Sequence, residues 1–187
     1  MSYPSRAACA ARLGAVWLFT SFEATLLLAV SVPTLGLLSR WFVAPVGRLW
    51  GRTVLRLLGL RLEVRGREHL LGRRARIVLF NHASTLDMPI VASVFPPGSL
   101  AIAKREILYV PFLGLTWLLL GQVFLDRTNA ERARASIARA ARKIVEGRRS
   151  AIIAPEGTRS ADGTLGPFKM GAFHLALATG APIVPVV

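Results

Sequence analysis

The sequence predicts an α/β layer fold with a largely buried sheet flanked by helices, preceded by an N-terminal membrane-associating helical segment. After about residue 60, short runs rich in Val and Ile alternate with longer helical patterns, as in layered α/β proteins. Before that point lies the longest apolar run of the chain. We therefore divide the chain into membrane-anchoring helices at residues 1–59 and an α/β domain at residues 60–187.

The composition indicates a partner that carries negative charge. Arg and Lys together number 24 against 10 acidic residues, for a net charge of +14. Such a balance suits either nucleic acid or the anionic face of a membrane. The hydrophobic fraction of 53% and the mean hydropathy of +0.49 favour the membrane. We find no sequence pattern for a recognition helix, zinc finger or RNA-binding aromatic motif, so we expect no nucleic-acid partner.

Residues 13–38 form the longest apolar run. A bilayer span needs about 20 apolar residues, so the run is long enough. Glu23 near its middle would cost about 3 kcal/mol in a membrane, which the surrounding Leu, Val and Phe residues outweigh. The pattern leaves open whether the segment spans the bilayer or lies in its interface. A signal peptide is the weaker interpretation, because no small-residue cleavage site follows the apolar core.

A second segment, residues 41–60, combines apolar residues with regularly spaced arginines. Arg48, Arg52 and Arg56 follow one another at helical spacing and so line one stripe of a helix. The pattern is typical either of a helix in the lipid headgroup layer or of a surface helix with a solvated basic face. The first is favoured because more arginines follow: Arg61, Arg65, Arg67, Arg73, Arg74 and Arg76. We expect a membrane-associated protein on the cytoplasmic face of the inner or plasma membrane.

The α/β domain is predicted to contain several short strands and four helices. The strands are predicted at residues 60–64, 76–80, 100–103, 122–125, 150–154 and 182–187, and the helices at residues 85–94, 110–120, 129–146 and 170–179. The helix at 129–146 has the clearest limits, since Thr128 and Glu131 form a capping-box pattern and Gly147 is a natural stop. The final apolar run reaches Val187 without a polar closure, which suggests a truncated product or an unusually short chain.

The segment NHASTLD, residues 81–87, follows a predicted strand and is the strongest candidate for chemistry. Asp87 can accept a hydrogen bond from Nδ1 of His82, which leaves Nε2 free to act as a base. Alternatively, Ser84 caps a helix and Asp87 stabilises its first turn. Both interpretations can hold at once. We therefore predict a proton-transfer pair formed by His82 and Asp87.

Three other predicted strands are followed by groups that could bind an anion. After one of them, Gly157 allows the backbone to aim amide hydrogens at one point, and Arg159 offers a bidentate fork. Arg127 and Lys104 each follow another predicted strand. For the loop that contains Gly157 and Arg159, the alternative is an ordinary turn with a surface salt bridge. For Arg127 it is a turn residue, and for Lys104 it is a solvated lysine.

The sequence contains no pattern for a metal, nucleotide or serine-hydrolase site. Its single cysteine, Cys9, excludes an internal disulfide and a Cys-based metal site. A GxSxG elbow, a Walker loop and a metal-ligand cluster are missing from the sequence. We expect neither a metal nor a cofactor.

In order and spacing, four blocks resemble those of the glycerolipid acyltransferase family: NHASTLD at 81–87, GQVFLDR at 121–127, APEGTRS at 154–160 and APIVPVV at 181–187. AKREILYVPFLG and GPFKMGAFHLALATG are similar to the segments between the family's blocks. The resemblance covers about residues 60–187. The chain departs from it at Ala154, where an aromatic residue is common, and at Met170, where a basic residue is frequent.

The resemblance implies a mixed-sheet α/β acyltransferase that moves an acyl group directly from acyl-coenzyme A or acyl carrier protein. Both donors are substrates, so no cofactor is implied. His82 would be the general base and Asp87 its orienting acid. The acceptor would be lysophosphatidic acid and the product phosphatidic acid, a phospholipid precursor. The residues that would bind the acceptor are Lys104, Arg127, Glu156, Gly157, Thr158 and Arg159. Another lysolipid acceptor, such as a lyso-ornithine lipid, and a non-catalytic basic membrane-binding protein are the alternatives.

Overall fold

The structure is a computed structural model that describes residues 5–34, 37, 39–70, 72, 74–94, 96, 99–110, 113–160 and 162–187. Two N-terminal helices precede an alternation of strands and helices. The helices are α1 (Arg6–Ser31), α2 (Ser39–Leu57), α3 (Asp87–Val94), α4 (Leu113–Leu119), α5 (Ala130–Gly147) and α6 (Gly171–Thr179). The strands are β1 (Ile77–Phe80), β2 (Leu100–Lys104), β3 (Val123–Leu125), β4 (Ala151–Ile153) and β5 (Ile183–Val186), and 3₁₀ turns cover Arg67–Leu70 and Arg105–Tyr109.

The strands form one sheet in the order β3-β2-β4-β1-β5, and all the pairings that the structure describes are parallel. β1 lies between β4 and β5, with Val78 beside Ile152 and Val184. A helix follows each strand from β1 to β4 and returns the chain to the same edge, which is why neighbouring strands run parallel. The predicted α/β class is confirmed, and the antiparallel pairing of a mixed sheet does not occur among the described strands.

Both faces of the sheet are buried. Ile77 of β1 points to one face and packs in a cluster with Ile144 of α5 and Leu175 of α6. Val78 points to the other face and shares a cluster with Val91 of α3, because successive side chains of a strand alternate. Full burial of one such aliphatic side chain stabilises the fold by about 1.5–3 kcal/mol. This packing fixes the positions at which the strands end, and the polar candidate residues follow those ends.

α2 packs against α3 through a glycine. A Cβ on Gly51 would collide with the carbonyl oxygen of Pro89, so the missing side chain lets the two helices meet. On the arginine stripe, Arg52 and Arg56 are exposed. Arg48 is half-buried, and its Nε has no hydrogen-bond partner among the described residues. α2 is therefore a packed element of the domain that also carries an exposed basic face.

α1 runs antiparallel to α2. The guanidinium of Arg12 donates to the carbonyl oxygen of Leu58 at 3.1 Å, and Trp50 Nε1 donates to Thr20 Oγ1 at 3.1 Å. Among the described residues, α1 is the helix that is long and apolar enough to cross a membrane. Its exposed large apolar side chains include Leu13, Trp17, Leu18, Phe22 and Leu26. This surface suits membrane association.

Residues 60–64, predicted as a strand, pair with no strand that the structure describes. The prediction was wrong because alternation alone supplies no partner. Leu60, Leu62 and Val64 remain 38–41% exposed, so the segment has no buried face to stabilise it. Some residues of the sequence predictions lie outside the described part of the chain. They are Arg73 and, within the predicted helical segments, residues 35, 36, 38, 111 and 112.

The limits of α5 differ from the predicted ones. Asn129 is the N-cap, and its side chain accepts a hydrogen bond from the amide three residues later at 2.8 Å. The hydroxyl of Thr128 donates instead to Asp126 at 2.7 Å, so the capping box predicted from Thr128 was wrong. At the other end, the helix includes Gly147, and Arg148 takes the left-handed conformation with φ of 48°. The Thr128 hydroxyl, which the sequence pattern predicted to cap the helix, is instead hydrogen-bonded to the carboxylate of Asp126.

Candidate active site

The polar residues that follow the strands lie along one edge of the sheet. Parallel strands end at the same edge, so the turn after β1, Lys104 at the end of β2, Arg127 after β3 and the loop 154–160 after β4 share it. Open α/β sheets present ligand-binding groups at this edge. The geometry therefore marks it as the candidate active site.

His82 and Asp87 are in direct contact. Nδ1 of His82 lies 2.7 Å from Oδ2 of Asp87, the first residue of α3, as the sequence predicted. The same Oδ2 accepts a hydrogen bond from the backbone amide of Ser84 at 2.8 Å. The two side chains of the pair are only 21% and 14% exposed. A carboxylate at Nδ1 selects the tautomer in which Nε2 carries the free lone pair.

The ring and backbone of His82 are held from three directions. Phe80 packs edge-on against the imidazole, with ring centroids 5.7 Å apart. The His82 amide donates to Oε1 of Glu156 at 2.8 Å. The His82 carbonyl accepts from the amide of Ser160 at 2.8 Å. The turn after β1 is therefore tied on both sides of its histidine to the loop after β4.

Glu156 is buried and supports this turn from within the fold. It is 5% exposed, and its second oxygen, Oε2, accepts a hydrogen bond from the amide of Gly166 at 3.0 Å. Both carboxylate oxygens therefore contact backbone amides, one from the His82 turn and one from the loop before α6. The sequence interpretation placed Glu156 among the acceptor-binding residues and missed this internal role. The available signal was a carboxylate three residues after the end of a buried apolar strand.

Arg127 reaches the loop after β4. Its guanidinium donates to the carbonyl of Gly157 at 3.3 Å, and a Cβ on Gly157 would collide with that guanidinium. Gly157 also has φ of 74°, which L side chains rarely adopt. Partial burial lowers the pKa of Arg127, and the carboxylate of Glu106 acts in the opposite direction. The guanidinium stays positive at neutral pH and adds charge to the site.

Arg159 links the loop after β4 to the His82 turn from outside. Its guanidinium donates to the hydroxyl of Thr85 at 2.8 Å and remains exposed. Lys104 and Thr158 are also exposed at this edge. Arg159 is thus joined to the turn through one hydrogen bond, whereas Lys104 and Thr158 lie at the same edge and do not contact the His82–Asp87 pair through a hydrogen bond among the described residues.

A further link at this edge joins β2 to β3, and the sequence did not predict it. Arg105 donates to Asp126 at 2.8 Å, so the residues after the two strands form an ion pair. The hydroxyl and amide of Thr128, followed by Arg105, lower the pKa of the Asp126 carboxyl. Among the described residues, no cluster of three or more His, Cys, Asp or Glu side chains is suited to hold a metal ion.

A sequence profile for acyltransferases matches residues 61–187. The chain belongs to the acyltransferase family. The resemblance carried by the four sequence blocks is confirmed.

Relatives of this acyltransferase chain match most of it. The 1-acyl-sn-glycerol-3-phosphate acyltransferase of Limnanthes alba is 40% identical over 141 residues, which are 75% of this chain and 50% of the relative. The enzyme of that name from Haemophilus influenzae is 33% identical over 175 residues, 94% of this chain and 66% of the relative. The chain therefore spans about half to two-thirds of the length of these relatives.

A solved structure supports the same acyltransferase fold. The 1-acyl-sn-glycerophosphate acyltransferase of Thermotoga maritima superposes with a TM-score of 0.66 and 30% sequence identity. The superposition covers 78% of this chain and 57% of the Thermotoga chain. The parallel sheet flanked by helices is thus a fold that an acyltransferase of known structure shares.

Proposed function

We propose that this acyltransferase moves an acyl group from a thioester donor to the free hydroxyl of lysophosphatidic acid, which gives phosphatidic acid. The donor would be acyl-coenzyme A or acyl carrier protein. The observation that carries the proposal is the 2.7 Å contact between His82 and Asp87 at the sheet edge where Lys104, Arg127 and Arg159 also lie. The names of the relatives favour the same acceptor.

In the proposed reaction, Nε2 of His82 takes the proton of the acceptor hydroxyl as its oxygen attacks the thioester carbonyl. The tetrahedral intermediate then expels the thiolate, which takes that proton from the imidazolium. The carboxylate of Asp87 at Nδ1 stabilises the imidazolium during this interval. General base catalysis of this kind contributes about 10²–10⁴ to the rate. Transfer is direct, so no acyl-enzyme forms.

The acceptor phosphate would bind to the cations of the same edge. Arg159 uses one donor on Thr85 and keeps the rest of its guanidinium fork for a phosphate. Arg127 and Lys104 would add charge, and Gly157 and Thr158 would complete the loop beside the phosphate. Glu156 would support that loop from below. The exposed apolar surface of α1 would keep the domain at the membrane, where the lipid acceptor resides. The cytoplasmic face stays a prediction.

The base assignment is tested by thiol release with lysophosphatidic acid in detergent, with both donors. H82A should lower turnover by about 10²-fold or more. H174A, at an exposed histidine of α6, serves as the matched control and should keep wild-type turnover. An H82A variant with unchanged turnover would eliminate the proposed base.

The phosphate assignment is tested by R159A. A hydrogen bond to a charged group is worth about 1.5–3 kcal/mol, so acceptor KM should rise about 10- to 100-fold. T85A removes the contact that holds Arg159 but keeps the charge, so its effect on acceptor KM should be much smaller. A loss confined to thioester binding would contradict the assignment. Equal rates with a lyso-ornithine lipid, which has no phosphate, would do so as well.

A further inference from the structure

A second cleft lies at the opposite edge of the sheet from the candidate active site. It has a volume of about 350 Å³ and opens between the end of α2, residues 60–67 and the end of α3. α3 begins with Asp87 in the candidate active site and ends with Val94 in this cleft. A helix of this length rises about 12 Å, and residues 60–67 precede β1. The cleft is therefore separate from the His82–Asp87 pair.

The cleft carries concentrated positive charge. Its lining includes four arginines and no acid: Arg52, Arg56, Arg61 and Arg67. Two acids, Glu63 and Glu68, lie near the lining residues in sequence. Glu63 pairs with Arg65 at 2.8 Å and Glu68 lies 3.8 Å from His69, and neither Arg65 nor His69 lines the cleft. Within the described part of the chain, none of the four lining arginines has an acid within 4.0 Å. Their charge is thus available to an external anion.

Apart from Ser93, the rest of the lining is aliphatic. Leu55, Leu60, Leu62, Val64 and Val94 share the cleft with the arginines. Leu60, Leu62 and Val64 belong to the segment that forms no strand, and they keep 38–41% of their surface exposed. Guanidinium groups beside exposed aliphatic side chains match a ligand with an anionic head and an apolar remainder.

We propose that this cleft binds the phosphate headgroup of an anionic glycerophospholipid at the membrane surface. A lipid fits better than a free anion because the cleft adjoins the helix pair that has the apolar surface. Arg12 of α1 contacts the carbonyl of Leu58, two residues before Leu60 in the cleft. Trp17 and Phe22, farther along α1, are 73% and 68% exposed. The headgroup layer would lie at the boundary between these apolar side chains of α1 and the arginines of the cleft.

Vesicle binding of the full chain tests the proposal, and this measurement requires no acyl transfer. Vesicles of phosphatidylglycerol in phosphatidylcholine serve as the probe, with pure phosphatidylcholine as reference. R56E/R61E should weaken binding to the anionic vesicles about 10- to 100-fold, since each basic residue contributes about 1 kcal/mol and reversal adds repulsion. R56K/R61K, which keeps the charge, should retain binding within about fivefold. If R56K/R61K still binds the vesicles and R56E/R61E has the circular dichroism of wild type, the weaker binding of R56E/R61E is not a result of misfolding.

The matched control reverses two arginines on another helix. Arg134 and Arg142 of α5 are exposed and lie outside the cleft, so R134E/R142E makes the same change in net charge. This variant should bind anionic vesicles within about threefold of wild type. Equal losses in both double variants would overturn the proposal, because they would indicate attraction by net charge alone.

Two further outcomes would also overturn it. The first is wild-type vesicle binding of R56E/R61E combined with a raised KM for acyl-coenzyme A or acyl carrier protein, which would make the cleft a donor site. The second is displacement from vesicles by millimolar inorganic phosphate, which would make it a site for free anions. H82A should bind vesicles like wild type, so the failure of the proposed transfer reaction would leave this result unaffected.

Discussion

The carboxylate of Glu156 accepts a hydrogen bond from the backbone amide of His82 at 2.8 Å, across a sequence separation of 74 residues. Its other oxygen accepts from Gly166 at 3.0 Å. One buried side chain thus joins the turn that carries the imidazole, the loop after β4 and the loop before α6. Glu156 is therefore expected to act on the reaction as a positioning residue, through the orientation of His82.

E156Q should lower kcat about 10- to 100-fold and leave acceptor KM within about threefold of wild type. A glutamine offers one oxygen and one NH₂, so one of the two backbone amides would face a donor and lose its partner. An unsatisfied buried amide costs about 1–3 kcal/mol. Steady-state kinetics with varied acceptor separates the two constants, and E146Q at an exposed position of α5 is the control. A raised KM with an unchanged kcat would show instead that Glu156 binds the acceptor.

D87N should lower kcat by about 10²–10⁴, because the amide side chain no longer selects the tautomer of His82 or stabilises its positive form. Oδ2 also receives the Ser84 amide at 2.8 Å, so the turn itself would loosen. S84A is the matched control, since it removes only the bond from the Leu86 amide to the Ser84 hydroxyl. We expect S84A to change kcat less than about tenfold. Near-normal turnover of D87N would rule out the orienting role of Asp87.

G51A should destabilise the protein by about 1–3 kcal/mol, because the new methyl group would meet the carbonyl of Pro89 where α2 crosses α3. G14A in α1 is the matched control, since nothing lies within 4 Å of the Cβ that it would add. Alanine favours a helix over glycine by about 1 kcal/mol, so G14A should be neutral or stabilising. Denaturant unfolding in detergent compares the two variants. Equal stabilities would contradict the close contact between α2 and α3.

The carboxylate of Asp126 should make stability depend on pH in acid, first through its hydrogen bonds from Thr128 and then through its ion pair with Arg105. Hydrogen bonds from Thr128 and the charge of Arg105 lower the pKa of folded Asp126 below its value in the unfolded chain, about 3.9. The stabilisation is therefore present above about pH 4 and is lost as the pH falls through the folded pKa. D126N should have a lower Tm than wild type at neutral pH, and the difference should shrink in acid. A difference that is constant across this range would argue against an electrostatic origin.

The sequence by itself determined the α/β class, the edge that carries the polar residues, and the contact between His82 and Asp87. These features are local. Short continuous apolar runs such as Ile77–Phe80 are typical of strands buried on both faces. Parallel strands bring their ends to one edge, and the two residues of the pair lie within one turn of chain.

Only the tertiary structure decided the place of Glu156, the pairing of Arg105 with Asp126 and the fate of residues 60–64. The first depends on an amide 74 residues away and the second on the register of β2 against β3. The third depends on a pairing partner, and residues 60–64 pair with no strand that the structure describes. Likewise, Thr128 fits a capping-box pattern in the sequence, but in the structure its hydroxyl donates to Asp126 and Asn129 caps α5. Spacing along the chain specifies which groups are neighbours in sequence, whereas packing between distant segments decides which donor meets which acceptor.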